Sequence, residues 1–122
     1  MSETSNSKAA NKTPRRFPRY PADVRLSIQL LRSGAQVSLW GRSTELGEDG
    51  IGGTLTGEVE PGEVVSMELA LPVTSFPLKI RALVRYRSGL HHGFEFLALD
   101  GRQRDMLHRV CEMLATGNQN EI

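Results

Sequence analysis

The apolar residues of this chain recur mainly at every second position, which is the period of a half-buried β-strand. The first run alternates with polar side chains and comprises Val24, Leu26, Ile28 and Leu30. Similar runs follow at Val37/Leu39, Val65/Met67/Leu69/Leu71, Leu78/Ile80/Ala82/Val84/Tyr86 and Phe94/Phe96/Ala98. The pattern therefore predicts a mostly β protein.

Short segments rich in turn-forming residues separate these runs. The predicted turns are residues 32–36, 47–53, 60–63, 71–77 and 87–93. We therefore expect roughly five to seven short strands. A small antiparallel barrel is the favoured arrangement, because closure removes the exposed edges that such strands would otherwise present.

The apolar period changes after Leu99. The apolar residues then recur at helical spacing, at Met106, Leu107, Val110, Cys111 and Leu114. Asp100 followed by Gln103 resembles a capping box, and Gly117 is a helix stop signal. The pattern predicts one amphipathic helix over residues 100–116, which either covers a mouth or flank of the barrel or pairs with another subunit.

Length and composition indicate one soluble globular domain. A chain of 122 residues, 39% hydrophobic and 24% charged, can bury a core without disulfides or structural metal. Cys111 is the only cysteine, so no intramolecular disulfide can form and a secreted, disulfide-rich scaffold is disfavoured. We expect a cytoplasmic protein that is a monomer or a weak homodimer.

Residues 1–13 are polar and lack the apolar segment of a signal peptide, which predicts a disordered tail. No apolar run approaches the roughly 20 residues that a helix needs to cross a bilayer, so no membrane association is expected. The predicted organisation is a tail over 1–13, an arm over 14–22, a barrel over 23–99, a helix over 100–116 and a C-terminal tail over 117–122.

Positive charge is concentrated just before the first predicted strand. Arg15, Arg16 and Arg19 stand in residues 14–21 together with three prolines, although the net charge of the chain is only +1. The prolines exclude a helix, so this segment is an extended or kinked arm. Guanidinium groups on such an arm suit phosphates, guanine edges and aromatic faces. A solvated basic linker is the alternative.

A second unusual stretch is glycine-rich and reads "TELGEDGIGG" over residues 44–53. Its glycines indicate positive φ angles or a close approach to the backbone. The spacing does not match a dinucleotide-binding G-x-G-x-x-G motif, and a strand pattern follows where that motif requires a helix. A hairpin turn with a bulge is the alternative interpretation.

Taken together, the two stretches resemble motifs of the PilZ domain family. "RRFPR" at 15–19 is similar to the family's R-x-x-x-R motif, and "ELGEDG" at 45–50 is the best register for its second motif, [D/N]-x-S-x-x-G. Further similarities follow in the family's order: "EPGEVVSMELAL", "LKIRALVRY", "HHGFEF" and the closing helix. The resemblance covers about residues 14–115. It implies a six-stranded antiparallel barrel with a C-terminal α-helix.

The resemblance also implies a receptor for the bacterial second messenger cyclic di-GMP. The implied ligand-binding residues are Arg15, Arg16, Arg19, Glu45, Gly47 and Gly50. Two of them depart from the second motif. Glu45 carries its hydrogen-bond acceptor about one methylene further from the backbone than an aspartate or asparagine would, and Gly47 lacks the serine hydroxyl. Loss of one neutral hydrogen bond costs about 0.5–1.5 kcal/mol, which weakens binding without abolishing it. A Gly47→Ser substitution is therefore expected to tighten binding.

Three functions remain open at this point. The first is a cyclic di-GMP receptor whose arm becomes ordered over the ligand and alters the surface offered to a downstream protein. The second is a divergent PilZ-like protein adaptor that no longer binds nucleotide. The third, a single-stranded nucleic-acid binder, is disfavoured by the 6% aromatic content and the near-neutral charge.

An enzyme is not expected, because no nucleophile, base and oxyanion site come together in the sequence. No cofactor and no metal are expected either. His91 and His92 are interpreted as turn residues, and His108 and Cys111 as helix residues that could touch without a third partner. Trp40 is interpreted as a packing residue.

Overall fold

The computed structural model describes residues 16–120, so the predicted tail over 1–13 and the candidate Arg15 lie outside the described residues. Within this range the chain forms seven strands and one helix. They are β1 (Tyr20–Pro21), β2 (Arg25–Arg32), β3 (Ala35–Leu46), β4 (Gly50–Leu55), β5 (Val64–Leu69), β6 (Leu78–Ser88), β7 (His91–Leu97) and α1 (Gly101–Asn120).

Strands β2 to β7 close into an antiparallel barrel. Their order is β3-β2-β5-β6-β7-β4, and β4 pairs back onto β3 to complete the ring. This confirms the predicted six-stranded barrel. The short β1 pairs with the end of β3, where Tyr20 lies opposite Leu46 and Pro21 opposite Glu45.

The core follows the alternation of the sequence. On β2, Leu26, Ile28 and Leu30 are buried, and they pack in one apolar cluster with Met67 and Phe94. The intervening residues of β2 face outward or are half-buried. The period of two therefore assigned the inward face of β2 correctly, whereas Tyr86 and Ala98, predicted in the same way, are exposed.

Three of the predicted turns are shorter than expected. Strands include residues 32 and 35–36 of the first, 50–53 of the second and 87–88 and 91–93 of the last, which leaves residues 33–34, 47–49 and 89–90 outside the strands. Neighbouring backbone explains the glycines of β4. A Cβ atom would lie 2.3 Å from the Phe94 carbonyl oxygen at Gly50, and 2.7 Å from the Arg42 carbonyl oxygen at Gly53. These glycines permit close strand packing and do not mark a turn.

The helix begins with the predicted capping box. The Asp100 backbone N–H donates to Gln103 Oε1 at 2.8 Å, and the Gln103 backbone N–H donates to Asp100 Oδ1 at 2.7 Å. Buried side chains of the helix, among them Leu107 and Val110, join the barrel core, so the apolar face packs on its own chain. Within residues 16–120, no helix is both long and apolar enough to cross a membrane.

The helix continues to Asn120, beyond its predicted end at 116, and residues 121–122 of the predicted tail lie outside the described residues. Gly117 lies inside the helix. A glycine in a helix costs only about 1 kcal/mol relative to alanine, so it weakens a helix without ending it.

Candidate functional site

The arm is attached to the barrel by backbone pairing and by one buried serine. The Ala22 backbone N–H donates to the Thr44 carbonyl at 3.2 Å. Ser43 is 4% exposed; its hydroxyl donates to the Ala22 carbonyl and accepts from the Val24 backbone N–H at 2.9 Å. Ser43 thereby links the arm to β3 across the break between β1 and β2. This role is not visible in the sequence, because an isolated serine in a strand carries no signal for it.

Arg19 lies on the surface formed by the glycine-rich motif. Its Nη1 is 3.2 Å from Glu45 Oε2, and its Nε is 3.6 Å from Asp49 Oδ1. The side chain of Arg19 is only 15% exposed. A guanidinium group held by two carboxylates therefore covers part of this surface.

The two glycines of the motif lie directly beneath that arginine. A Cβ atom at Gly47 would be 2.7 Å from Arg19 Cδ and 2.9 Å from the Pro18 carbonyl oxygen. At Gly50 it would be 2.8 Å from Arg19 Nη2. The structure thus brings together four of the predicted site residues, namely Arg19, Glu45, Gly47 and Gly50.

The space at Gly47 shows what a Gly47→Ser substitution would contact, while its expected effect on binding stays a prediction. A serine side chain would overlap Arg19 and the backbone of Pro18 before it could donate to any ligand. Gly47 is therefore a contact position for the arm.

Arg16 is not part of this group in the structure. It is exposed, and its guanidinium carbon lies 5.6 Å from the centroid of the Phe17 ring, in a cation–π arrangement. Arg16 is thus available on the arm outside the Arg19 contacts.

Hydrogen bonding around Arg19 is incomplete. Arg19 Nε and Asp49 Oδ1 are both buried and have no hydrogen-bond partner within the described residues. Their separation of 3.6 Å is too long for a hydrogen bond between them. Charge attraction, more than directed hydrogen bonding, joins Arg19 to Asp49.

A shallow cavity of about 240 Å³ adjoins Arg19 and Asp49. Its walls include Arg85 and Tyr86 of β6, which are both exposed. The Tyr86 ring packs on Gly93, where a Cβ atom would lie 2.0 Å from ring atom Cε2. Asp49 and Glu95 also line the cavity, and Arg85 Nη1 lies 3.4 Å from Glu95 Oε1. Two arginines and an aromatic ring suit a planar, anionic ligand that replaces these carboxylates.

Arg85 and Tyr86 were not predicted as site residues, because both belong to the strand alternation of β6. A register shift between Val84 and Tyr86 explains why two consecutive side chains are exposed. Such bulges re-aim side chains next to binding sites.

The loop between β3 and β4 is connected to the helix on its other side. His108 Nδ1 lies 2.9 Å from Glu48 Oε2, and His108 Nε2 lies 3.2 Å from Glu112 Oε2. The hydrogen bond to Glu48 is the largest cause that raises the pKa of His108. The loop that carries Asp49 is therefore bonded to α1.

Cys111 is a core residue. Burial raises its pKa to about 11, so the thiol is protonated at neutral pH. His108, the residue one helical turn away, bonds to carboxylates instead.

The interpretation of His91 and His92 as turn residues is wrong, since both lie in β7. His92 is fully buried; its Nε2 accepts from the Val59 backbone N–H at 3.1 Å, and its Nδ1 lies 2.8 Å from the Leu90 carbonyl oxygen. Its role is structural. Among residues 16–120, no group of three His, Cys, Asp or Glu side chains is arranged to hold a metal ion.

Trp40 is 56% exposed on β3, so its interpretation as a packing residue is also wrong. It follows the half-buried Leu39, and consecutive side chains of a strand point to opposite faces.

Larger depressions exist elsewhere on the molecule. One of about 440 Å³ lies between β2, β5 and β6 and is lined by Lys79 and Arg81 among others, with none of the predicted site residues. Another, of about 510 Å³, lies between the arm and the helix and includes Ala22, Val110 and Leu114. Of the four predicted residues that the structure brings together, Arg19 lines the smaller cavity.

Comparison with protein families gives one result that covers most of the chain. A family model described as PilZ domain matches residues 13–113. No curated protein sequence matches the chain.

Several solved structures share the fold. Escherichia coli YcgR in complex with c-di-GMP superposes with a TM-score of 0.71 at 20% identity, covering 88% of this chain and 48% of that one. The PilZ domain of YcgR from the same organism, with c-di-GMP, gives 0.68 at 18% identity and covers 90% of this chain and 100% of that one. The inhibitor of motility MotI/DgrA of Bacillus subtilis gives 0.64 at 15% identity, covering 90% and 54%. The chain thus spans about half the length of the YcgR and MotI/DgrA structures.

Proposed function

Because the chain belongs to the PilZ domain family, we propose that it binds cyclic di-GMP on the surface where Arg19 meets Gly47 and Gly50. The observation that carries the proposal is the position of Arg19, whose side chain lies across both glycines. An arm pinned elsewhere on the barrel would have separated the two motifs. The similar fold of YcgR, whose structures contain c-di-GMP, supports the choice of ligand.

The chemistry of the residues around Arg19 fits a cyclic dinucleotide. Arginine can form two parallel hydrogen bonds to a phosphate or to a guanine edge, and it can stack on a purine ring. Arg85 and Tyr86 provide a second cation and an aromatic ring beside the same cavity. These three side chains lie within one small region.

We infer that the domain acts as a receptor, and that ligand binding alters the arm. The arm residue Ala22 borders the cleft against Val110 and Leu114 of the helix. A ligand that binds Arg19 changes the position of the arm, which forms one wall of this cleft. A downstream protein that recognises the cleft would then respond to the ligand, which is regulation by a local conformational change.

Isothermal titration calorimetry with cyclic di-GMP tests the proposed ligand. The wild-type chain should bind, and Arg19→Ala should bind at least about tenfold more weakly, because hydrogen bonds to charged groups contribute about 1.5–3 kcal/mol. Arg102→Ala, which removes an exposed arginine of the helix, is the matched control and should bind like wild type. Cyclic di-AMP controls for recognition of the guanine base.

Absence of heat with folded wild-type protein at roughly 300 µM ligand would reject the receptor proposal, since a dissociation constant near 100 µM would still be detected. Equal affinity of the Arg19→Ala and Arg102→Ala variants would place the ligand elsewhere.

A second candidate function, a protein adaptor without nucleotide, is favoured by one observation. Glu45 and Asp49 already surround Arg19 with negative charge. If these contacts are permanent, the surface is closed to an anionic ligand and the arm serves only as part of a protein-binding face. Calorimetry that shows no binding, with an intact fold, supports this candidate.

A further inference from the structure

We propose that, before a ligand binds, Glu45, Gly47, Asp49 and Gly50 hold the Arg19 side chain on the barrel, and that an incoming ligand must displace the two carboxylates from the guanidinium. We call these four residues the arginine seat. The inference rests on the proposed function, because it concerns how the same surface is controlled. It also gives the two departures from the second motif a role of their own.

The glycines make room for the stored arginine. A Cβ atom at residue 47 would lie 2.7 Å from Arg19 Cδ and 2.9 Å from the Pro18 carbonyl oxygen. Cβ atoms essentially never approach other heavy atoms this closely, and the Pro18 oxygen belongs to the backbone, which yields less easily than a flexible side chain. A serine at position 47 is therefore incompatible with the seated arm, whereas Gly47 allows it.

The carboxylates hold the guanidinium in place. Glu45 approaches Nη1 to 3.2 Å and Asp49 approaches Nε to 3.6 Å, while the Arg19 side chain remains 15% exposed. Both carboxylates come from the barrel and its β3–β4 loop, and the arginine comes from the arm. The glutamate at position 45 extends further than the family's aspartate or asparagine, and its Oε2 is the atom that meets Arg19.

The arginine seat holds Arg19 weakly enough that the side chain can be released. Arg19 Nε and Asp49 Oδ1 are buried without a hydrogen-bond partner within the described residues, which is an unfavourable state for both atoms. The other carboxylate, of Glu45, is 31% exposed, and ion pairs that retain access to solvent contribute little stability. A phosphate that forms two hydrogen bonds with the guanidinium can therefore compete with both carboxylates.

The β3–β4 loop holds its half of the seat in position independently of the arm. Glu48, next to Asp49, is bonded to His108 of the helix at 2.9 Å. The Gly47 backbone N–H donates to the Gly50 carbonyl at 2.9 Å and closes the turn. Release of Arg19 therefore moves the arm and leaves the loop in place.

The seat predicts that its carboxylates oppose ligand binding. Calorimetry with cyclic di-GMP should show tighter binding for Glu45→Gln and for Asp49→Asn. The double variant should bind about fivefold more tightly than wild type, the size expected when partly exposed ion pairs no longer have to be broken. Glu112→Gln removes an exposed charge that contacts His108 and not Arg19, so its affinity should stay within about twofold of wild type.

Hydrogen exchange of the arm in the absence of ligand provides a separate readout. The backbone amides of Phe17, Arg19, Tyr20 and Ala22 should exchange faster in the double variant than in wild type, and at the wild-type rate in Glu112→Gln. Weaker binding by Glu45→Gln would overturn the inference, because it would mean that Glu45 binds the ligand directly. Unchanged exchange in the double variant would overturn it as well.

The two proposals fail in different ways. If no variant binds cyclic di-GMP but arm exchange accelerates in the double variant, the ligand proposal fails and the seat stands. If wild type binds and the double variant binds no more tightly, the seat does not oppose the ligand and the receptor proposal stands.

Discussion

At the scale of single residues, Gly47 contributes by having no side chain. The Arg19 side chain and the Pro18 carbonyl occupy the volume that a Cβ atom would fill. The contact fixes where the arm crosses the barrel, and with it the position of the guanidinium that we propose binds the ligand.

Gly47→Ser should therefore destabilise the docked arm. Insertion of atoms into a packed contact typically costs about 1–3 kcal/mol, so the free energy of unfolding in urea should fall by an amount in that range. The same substitution at Gly101, where no atom lies within 4 Å of an added Cβ, is the control and should be nearly neutral. Equal stability of Gly47→Ser and Gly101→Ser would show that the contact between residue 47 and the arm does not stabilise the fold.

His92 couples the stability of the molecule to pH. Burial is the largest cause that lowers its pKa in the folded state, whereas a histidine in the unfolded chain titrates near ~6.5. Between these two pKa values the unfolded state binds more protons than the folded state. The stability contributed by neutral His92 is therefore present above about pH 6.5 and is lost as the pH falls through the folded pKa, by at most about 1.4 kcal/mol per pH unit for one group.

Urea unfolding between pH 7.5 and pH 5 measures this effect. His108 acts in the opposite direction, because its pKa is raised by Glu48 and it is bonded more strongly when protonated. The comparison is therefore made in a His108→Gln background, with and without His92→Gln. If the free energy of unfolding falls by the same amount between pH 7.5 and pH 5 in both variants, His92 is not the source of the loss.

At the scale of elements, helix α1 was predictable from local signals because its capping box and its apolar spacing lie within a few residues of each other. Gln103 also makes a contact that no local pattern reveals, since its Nε2 donates to the Lys79 carbonyl of β6 at 2.6 Å. One side chain thus caps the helix and joins it to the barrel.

Gln103→Ala should lower the free energy of unfolding by about 1–2 kcal/mol, because it removes a cap and a hydrogen bond to the barrel. Thermal or urea unfolding measures the change. Arg102→Ala, an exposed neighbour, should have little effect. Equal stability of the two variants would show that the cap does not matter.

Strand β4 was not predicted correctly from the sequence. Its residues are buried on both faces apart from Thr54, so the alternation that identifies half-buried strands is absent. Its glycines imitate a turn, although they are there to admit neighbouring backbone and the Arg19 side chain. Strand β2, in contrast, keeps a clear alternation and was predicted correctly.

At the scale of the whole molecule, the site is produced by closure of the barrel. Arg19 and Glu45 are 26 residues apart in the chain, and Tyr86 comes from a third strand further along. No sequence pattern gives the distances among them, because β1, β3 and β6 are positioned by pairings along the entire ring. The motif resemblance identified the residues on the arm and loop, and the fold supplied Arg85, Tyr86 and Ser43.

The central claim, that cyclic di-GMP binds where the arm crosses the glycine-rich loop, is tested most directly by NMR. A titration of ¹⁵N-labelled protein with cyclic di-GMP should shift the amide signals of Arg19, Gly47, Gly50 and Tyr86 most strongly. Signals of the depression lined by Lys79 and Arg81 should stay unchanged. Shifts confined to that depression, or no shifts at all, would contradict the account.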